Sequence, residues 1–210
     1  ARFWGRTGSS SITQPPMYGH VLAELGRLGL AVPSPLIDAA RRGLRFLLRD
    51  RVRDLASGLI TAVHPWETGA DDSPRWDHWC PGGFDRARWF EVKGALVAAV
   101  AFDGHGAAVS NPSFGAAPAG FNALVAFNAA ELAELIGDTD LARASAELAA
   151  AVAARWDRRL RTWVDAGPAA ESSGRIRTLD GLLPALVDPG RLDEVLRDLL
   201  DDRCYGGACG

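Results

Sequence analysis

The stretch His64-Pro65-Trp66-Glu67-Thr68-Gly69-Ala70-Asp71-Asp72-Ser73-Pro74-Arg75-Trp76-Asp77 decides how this chain is read. Its fourteen residues hold four carboxylates, two tryptophans, a histidine and an arginine. Gly69 and Pro74 break helices, so a loop is predicted over about residues 62–85. Acids beside flat aromatic faces suit gripping a sugar and cleaving a glycosidic bond. Carboxylates serve there as acid or base, and indole rings stack on sugar C–H faces. Such cleavage needs a proton for the leaving oxygen and a second carboxylate, which activates water or attacks carbon. Glu67, Asp71, Asp72 and Asp77 are the candidates. Asp71 and Asp72 are adjacent, so in an extended loop they point apart. One is expected at a pocket, the other capping the turn or against Arg75. Composition alone favours a plainer reading, in which all four acids cap, turn or pair, because Asp and Ser cluster in turns for local reasons.

Outward from the loop the pattern is helical. Residues 18–29 set Tyr18, Val21, Leu22, Leu25 and Leu28 on one face, after Pro15 and Pro16 at a tolerated start. Residues 35–50 direct Leu36, Ala40, Leu44, Leu47 and Leu48 inward, and Arg41, Arg42, Arg45 and Arg49 read as a solvated face. Helix is predicted over 86–102, with Trp89, Val92, Leu96 and Val100 inward. Residues 119–136 and 139–157 read as an antiparallel pair joined through Gly137-Asp138-Thr139, a terminal glycine and a cap. Arg161–Asp165 reads as a short extended piece. Two short helices follow at 178–187 and 190–201, with cap chemistry at Asp188-Pro189-Gly190. About seven or eight helices, long loops and almost no strand give an all-α class. They suit an α/α toroid better than a short-looped bundle.

Length allows one domain with a real core. A net charge of −3 implies no general attraction to nucleic acid or to an anionic membrane. No apolar run stands out as a transmembrane span. Three cysteines make no disulfide framework, and Cys204 and Cys209 read as free thiols, which fits a reducing cytoplasm. No His/Asp/Glu set has metal spacing, and no cofactor is expected. Gly82-Gly83 lacks the context of a nucleotide loop. Trp66 and Trp76 are the candidate sugar platforms, while Trp89 reads as core. His64 can donate to a sugar hydroxyl, but a structural hydrogen bond is the plainer role, as for His20, His78 and His105. Arg75 either meets a substrate carboxylate in bidentate fashion or braces Asp72 or Asp77.

The loop resembles the signature of glycoside hydrolase family 63, a WESG-type turn followed by an Asp and an SPRW run. Ser11-Ile12-Thr13-Gln14-Pro15-Pro16, Phe121-Asn122-Ala123-Leu124 and Leu179-Asp180-Gly181-Leu182-Leu183-Pro184 resemble further segments of that family, so the likeness covers most of the chain. It implies an (α/α)6 catalytic toroid and inverting hydrolysis of a small α-glucoside or α-mannoside such as glucosylglycerate or mannosylglycerate. The family's general acid falls on Asp71. Trp66 and Glu67 would shape the sugar pocket, and Gln14 would touch the sugar. Ala70 stands where the bacterial branch often has Met, and Asp72 where it often has Asn. The family's general base is a Glu beyond a Trp-Arg-Gly-Pro segment, which this sequence lacks. The expectation is therefore a partial catalytic domain over residues 1–210, about four of six hairpins, cut short at both ends and inactive alone. A non-catalytic sugar-binding toroid and a trehalase-like hydrolase are the rival readings.

Overall fold

The computed structural model describes residues 12–173 and 175–201. Ser11, Cys204 and Cys209 lie outside the described residues. The α-helices are α1 (Tyr18–Arg27), α2 (Ser34–Arg49), α3 (Arg86–Ala98), α4 (Ala119–Ile136), α5 (Thr139–Ala153), α6 (Pro168–Ser173) and α7 (Leu192–Leu199). Among the described residues the strands form two short antiparallel ribbons, β1 (Ala101–Phe102) with β2 (Ala108–Ser110), and β3 (Trp156–Asp157) with β4 (Thr162–Trp163).

Helix α4 is the axis of the main core, packing against α1, α2 and α5. It ends where Gly137 takes φ +68°, and Asp138 then caps α5 by accepting from the Leu141 amide at 3.1 Å. The expected glycine stop and cap are both present. Arg41 and Arg45 of α2 donate to the same Asp138 at 2.7 and 3.0 Å, so these two arginines tie α2 to the α4–α5 corner instead of forming a merely solvated face. α4 is also long and apolar enough to cross a membrane by length and composition, with mean hydropathy 1.2. Here 67% of it is buried inside the protein, as befits a core helix.

Several boundaries differ from expectation. The 86–102 helix stops at Ala98, because Ala101–Phe102 turns into β1. The 139–157 helix stops at Ala153, and Trp156–Asp157 becomes β3. The 178–187 segment is a 3₁₀ helix, Asp180–Leu186, because it holds Gly181 and an internal Pro184 that withholds an amide. Asp188 heads a 3₁₀ turn without a side-chain capping bond.

The buried face of α1 also differs. Gly19, Leu22 and Ala23 face the core, whereas Tyr18, Val21 and Leu28 are exposed. Small residues win because α1 lies almost backbone to backbone on α4: a methyl group on Gly19 would sit 2.2 Å from the Asn128 carbonyl oxygen. Tyr18 and Val21, with Leu36 of α2, line an open apolar groove instead. Gly19→Ala should therefore lower stability by about 1–3 kcal/mol despite alanine's better helix propensity, because only movement of a whole helix relieves the clash. Urea denaturation measures this, and an unchanged or raised midpoint would contradict the packing.

Candidate active site

The acidic loop runs between two smaller clusters of buried apolar residues. One gathers Trp76, Cys80, Trp89, Leu96 and Phe114, and the other Ile12, Val63, Val100 and Ala108. Asn111 links them by donating to the carbonyls of Val63 and Leu96 at 2.7 and 2.8 Å. Within the loop, Pro65–Thr68 and Pro74–Trp79 are 3₁₀ turns, and Gly69 at φ +69° reverses the chain between them.

Glu67 is fully buried, and five donors converge on it. Arg51 donates to its two oxygens at 2.9 and 2.7 Å, the Thr13 amide and hydroxyl at 3.2 and 2.7 Å, and the Val63 amide at 2.7 Å. Its capacity is spent inside the protein, so Glu67 belongs to the frame of the site. What it frames is the junction of loop and N-terminal segment. Thr13 is clamped, and a methyl group on Gly69 would lie 3.3 Å from Pro15. Gln14, exposed between these two anchors, is held beside the Gly69 turn.

His64 is buried, with Nε2 3.0 Å from the Lys93 carbonyl and Nδ1 accepting the Trp66 amide at 3.2 Å. Burial holds its pKa below the ordinary value, outweighing the hydrogen bond to Lys93 and the nearby carboxylates. It is a structural histidine. Trp66 is half-buried and packs on the His64 ring, with centroids 4.1 Å apart. Trp76 is 3% exposed, packs against Trp79 and Phe114, and donates its indole N–H to the Ala70 carbonyl at 2.9 Å. That position makes it a buried support of the turn, not an open platform. Arg75 is buried as well, and neither sequence alternative describes it. It donates to Asp165 at 2.7 Å and to Asp180, joining the loop to the segments after β4 and at the 3₁₀ helix Asp180–Leu186.

Asp71 and Asp72 sit in a turn, not an extended run, and this lets both carboxylates reach one cation. Lys93 Nζ donates to Asp71 Oδ2 at 2.9 Å and Asp72 Oδ1 at 2.8 Å. The Trp89 indole N–H lies 2.9 Å from the Asp71 carbonyl and 3.0 Å from Asp72 Oδ1. Hydrogen bonding to Lys93 keeps the Asp72 carboxyl below its ordinary range. Burial opposes charge on Lys93, but the two aspartates outweigh it and raise its pKa. The Asp71 side chain is 35% exposed and that of Asp72 64%, so both carboxylates reach the surface of the turn. Along the same loop, an open cavity of about 610 Å³ is lined by Gly69, Ala70, Ser73 and Pro74 on one side and residues 176–180 on the other. That volume suits a small ligand.

Sequence reasoning gave no role to Lys93, Arg51, Asp165 or Asp180, although Asp180 lies in a segment that resembles the family. Lys93 carried a signal: it stands four residues from Trp89 on the inward face of α3, and an inward lysine needs a buried partner. His20, Glu24 and Glu131, not grouped by the sequence reading, bring ligand atoms within 4.8 Å of one another. Arg27 already hydrogen-bonds both of those glutamates.

The model of the mannosylglycerate hydrolase MGH1-like glycoside hydrolase domain matches residues 2–210. The chain belongs to this family. Among MGH1-like relatives, the mannosylglycerate hydrolase of Thermus thermophilus is 36% identical over a region covering 35% of this chain and 20% of that protein. Mannosylglycerate hydrolase MGH2 of Selaginella moellendorffii is 36% identical over 33% of this chain and 15% of its own length. The crystal structure of a GH63 mannosylglycerate hydrolase from Thermus thermophilus in complex with Tris and D-glycerate superposes with a TM-score of 0.62 at 20% identity, over 94% of this chain and 56% of that one. The complex with glucose gives 0.58 at 22%, over 93% and 54%. The chain thus spans about half the length of these structures. The MGH1-like chain is all-α, and its helix hairpins are those of an incomplete (α/α)6 toroid.

Proposed function

We propose that this MGH1-like domain carries the acid-bearing part of an enzyme that hydrolyses the α-glycosidic bond of mannosylglycerate or a close glucosyl analogue by inversion. Asp71 is the general acid in this reading. The observation that carries it is the partly exposed Asp71 carboxylate, held by Lys93 on a turn fixed by the Trp89 and Trp76 indoles, in the loop whose residues Gly69, Ala70, Ser73 and Pro74 line an open cavity. A partly exposed, oriented carboxyl group can hand a proton to a glycosidic oxygen. Gln14, exposed beside the Gly69 turn, and Trp66, half-buried in the 3₁₀ turn just before it, are the candidate sugar contacts. Glu67, Trp76 and Arg75 act from behind, as framework. Inversion requires a second carboxylate about 6.5–9.5 Å away to activate water. In this reading it is a glutamate outside these 210 residues, so the isolated chain does not turn over. The buried free thiol of Cys80 suits a reducing cytoplasmic setting for the whole enzyme.

The test is to give the natural polypeptide carrying this segment mannosylglycerate and to follow the anomeric protons by NMR. The expected first product is β-mannose, which then mutarotates. First formation of the α-anomer would reject inversion, and no release of mannose or glucose from either glycerate glycoside would reject the substrate class.

A further inference from the structure

Lys93 is almost fully buried, its side chain 9% exposed, yet its ammonium faces two carboxylates at once. A buried ammonium with no partner is strongly unfavourable. If Asp71 were its sole counter-ion, each protonation of Asp71 would strand that charge. Asp72 removes the difficulty, because it stays a charged partner at 2.8 Å whichever form Asp71 takes. Asp72 is itself fixed by the Trp89 indole, which also holds the Asp71 carbonyl. Trp89 and Lys93 are one turn apart on α3, and the Lys93 carbonyl is tied to His64 at the head of the loop. The turn is therefore gripped by one helix at its backbone, at both carboxylates and at its N-terminal end.

We propose that Lys93 is a positioning residue that aims the Asp71 carboxyl for proton delivery, with Asp72 as the standing counter-ion that keeps the ammonium in place through the cycle. This rests on the reading of Asp71 as general acid. In the step it serves, water adds to the anomeric carbon and loses a proton to the base. The carbon–oxygen bond breaks, and its electron pair stays on the glycerate oxygen, which takes the Asp71 proton. Asp71 ends as a carboxylate already facing Lys93, and a solvent proton restores it. Lys93 keeps its own protons throughout.

The test compares two substrates in the natural polypeptide. Mannosylglycerate needs protonation of its leaving oxygen, whereas α-mannosyl fluoride does not, because fluoride departs unaided. Lys93→Met should lower kcat on mannosylglycerate about 100-fold, the lower end of what acid–base catalysis supplies. KM and the rate on the fluoride should stay within about threefold, and Lys93→Arg should recover most of the loss, if kept charge and reach are what matter. Equal losses on both substrates would mean that Lys93 only supports the fold and would overturn the proposal, as would no loss on mannosylglycerate. The functional reading fails separately: Asp71→Asn would then leave mannosylglycerate turnover intact, or the unaltered protein would show none.

Discussion

With Asp71 as the proposed general acid, Asp71→Asn in the natural polypeptide should lower turnover of mannosylglycerate by about 10²–10⁴-fold, the span that a positioned proton donor supplies. The substitution is nearly isosteric. The amide keeps an oxygen for Lys93, and Asp72 remains to hold the ammonium, so the turn should stay in place. What disappears is the transferable proton. Thermal unfolding of the variant should match the parent within a few degrees, and hydrolysis of α-mannosyl fluoride should survive. Asp72→Asn is the informative companion. It removes the standing counter-ion but leaves Asp71 intact, so its effect should be smaller. If Asp72→Asn abolished turnover while Asp71→Asn left it largely intact, the assignment of the acid would move to Asp72.

The helices were legible because their large apolar residues recur at helical spacing. Leu44, Leu47 and Leu48 of α2 and Leu141, Leu148 and Val152 of α5 are all buried as that spacing predicts. In α1 the same signal placed Leu22 and Leu25 correctly but misplaced Tyr18, Val21 and Leu28, because periodicity weighs large side chains and is blind to close approach through Gly19 and Ala23. It also overran helices into β1 and β3, where pairing with a later strand outcompetes another helical turn. In the acidic loop, the residue types announced chemistry without saying which served catalysis and which served structure. That division depends on partners remote in sequence. Thr13 meets Glu67 across 54 positions, and Asp180 meets Arg75 across 105. No local pattern encodes such pairings, so the buried partners that hold Glu67 and Arg75 could not be read from the sequence.

Glu67→Ala should cost about 3–5 kcal/mol, or roughly 6–20 °C in Tm for a domain of this size. Both side chains of the Arg51–Glu67 pair are fully inaccessible, so truncating the acid leaves a guanidinium with no counter-ion and no water. Replacing both partners by apolar residues separates two contributions. Arg51→Met with Glu67→Leu deletes the buried charge altogether, and for a simple buried pair such an exchange is often neutral or stabilising. Glu67, however, also satisfies the amides of Thr13 and Val63, and each amide left buried without a partner costs about 1–3 kcal/mol. The double variant should therefore fall between the parent and Glu67→Ala. Full recovery would mean that the amide bonds are dispensable and that Glu67 is only a counter-ion. Partial recovery, with Gln14 and the N-terminal segment loosened in hydrogen exchange, is expected if Glu67 holds that segment against the Gly69–Asp71 turn. On that result the geometry of the turn depends on a fully buried acid.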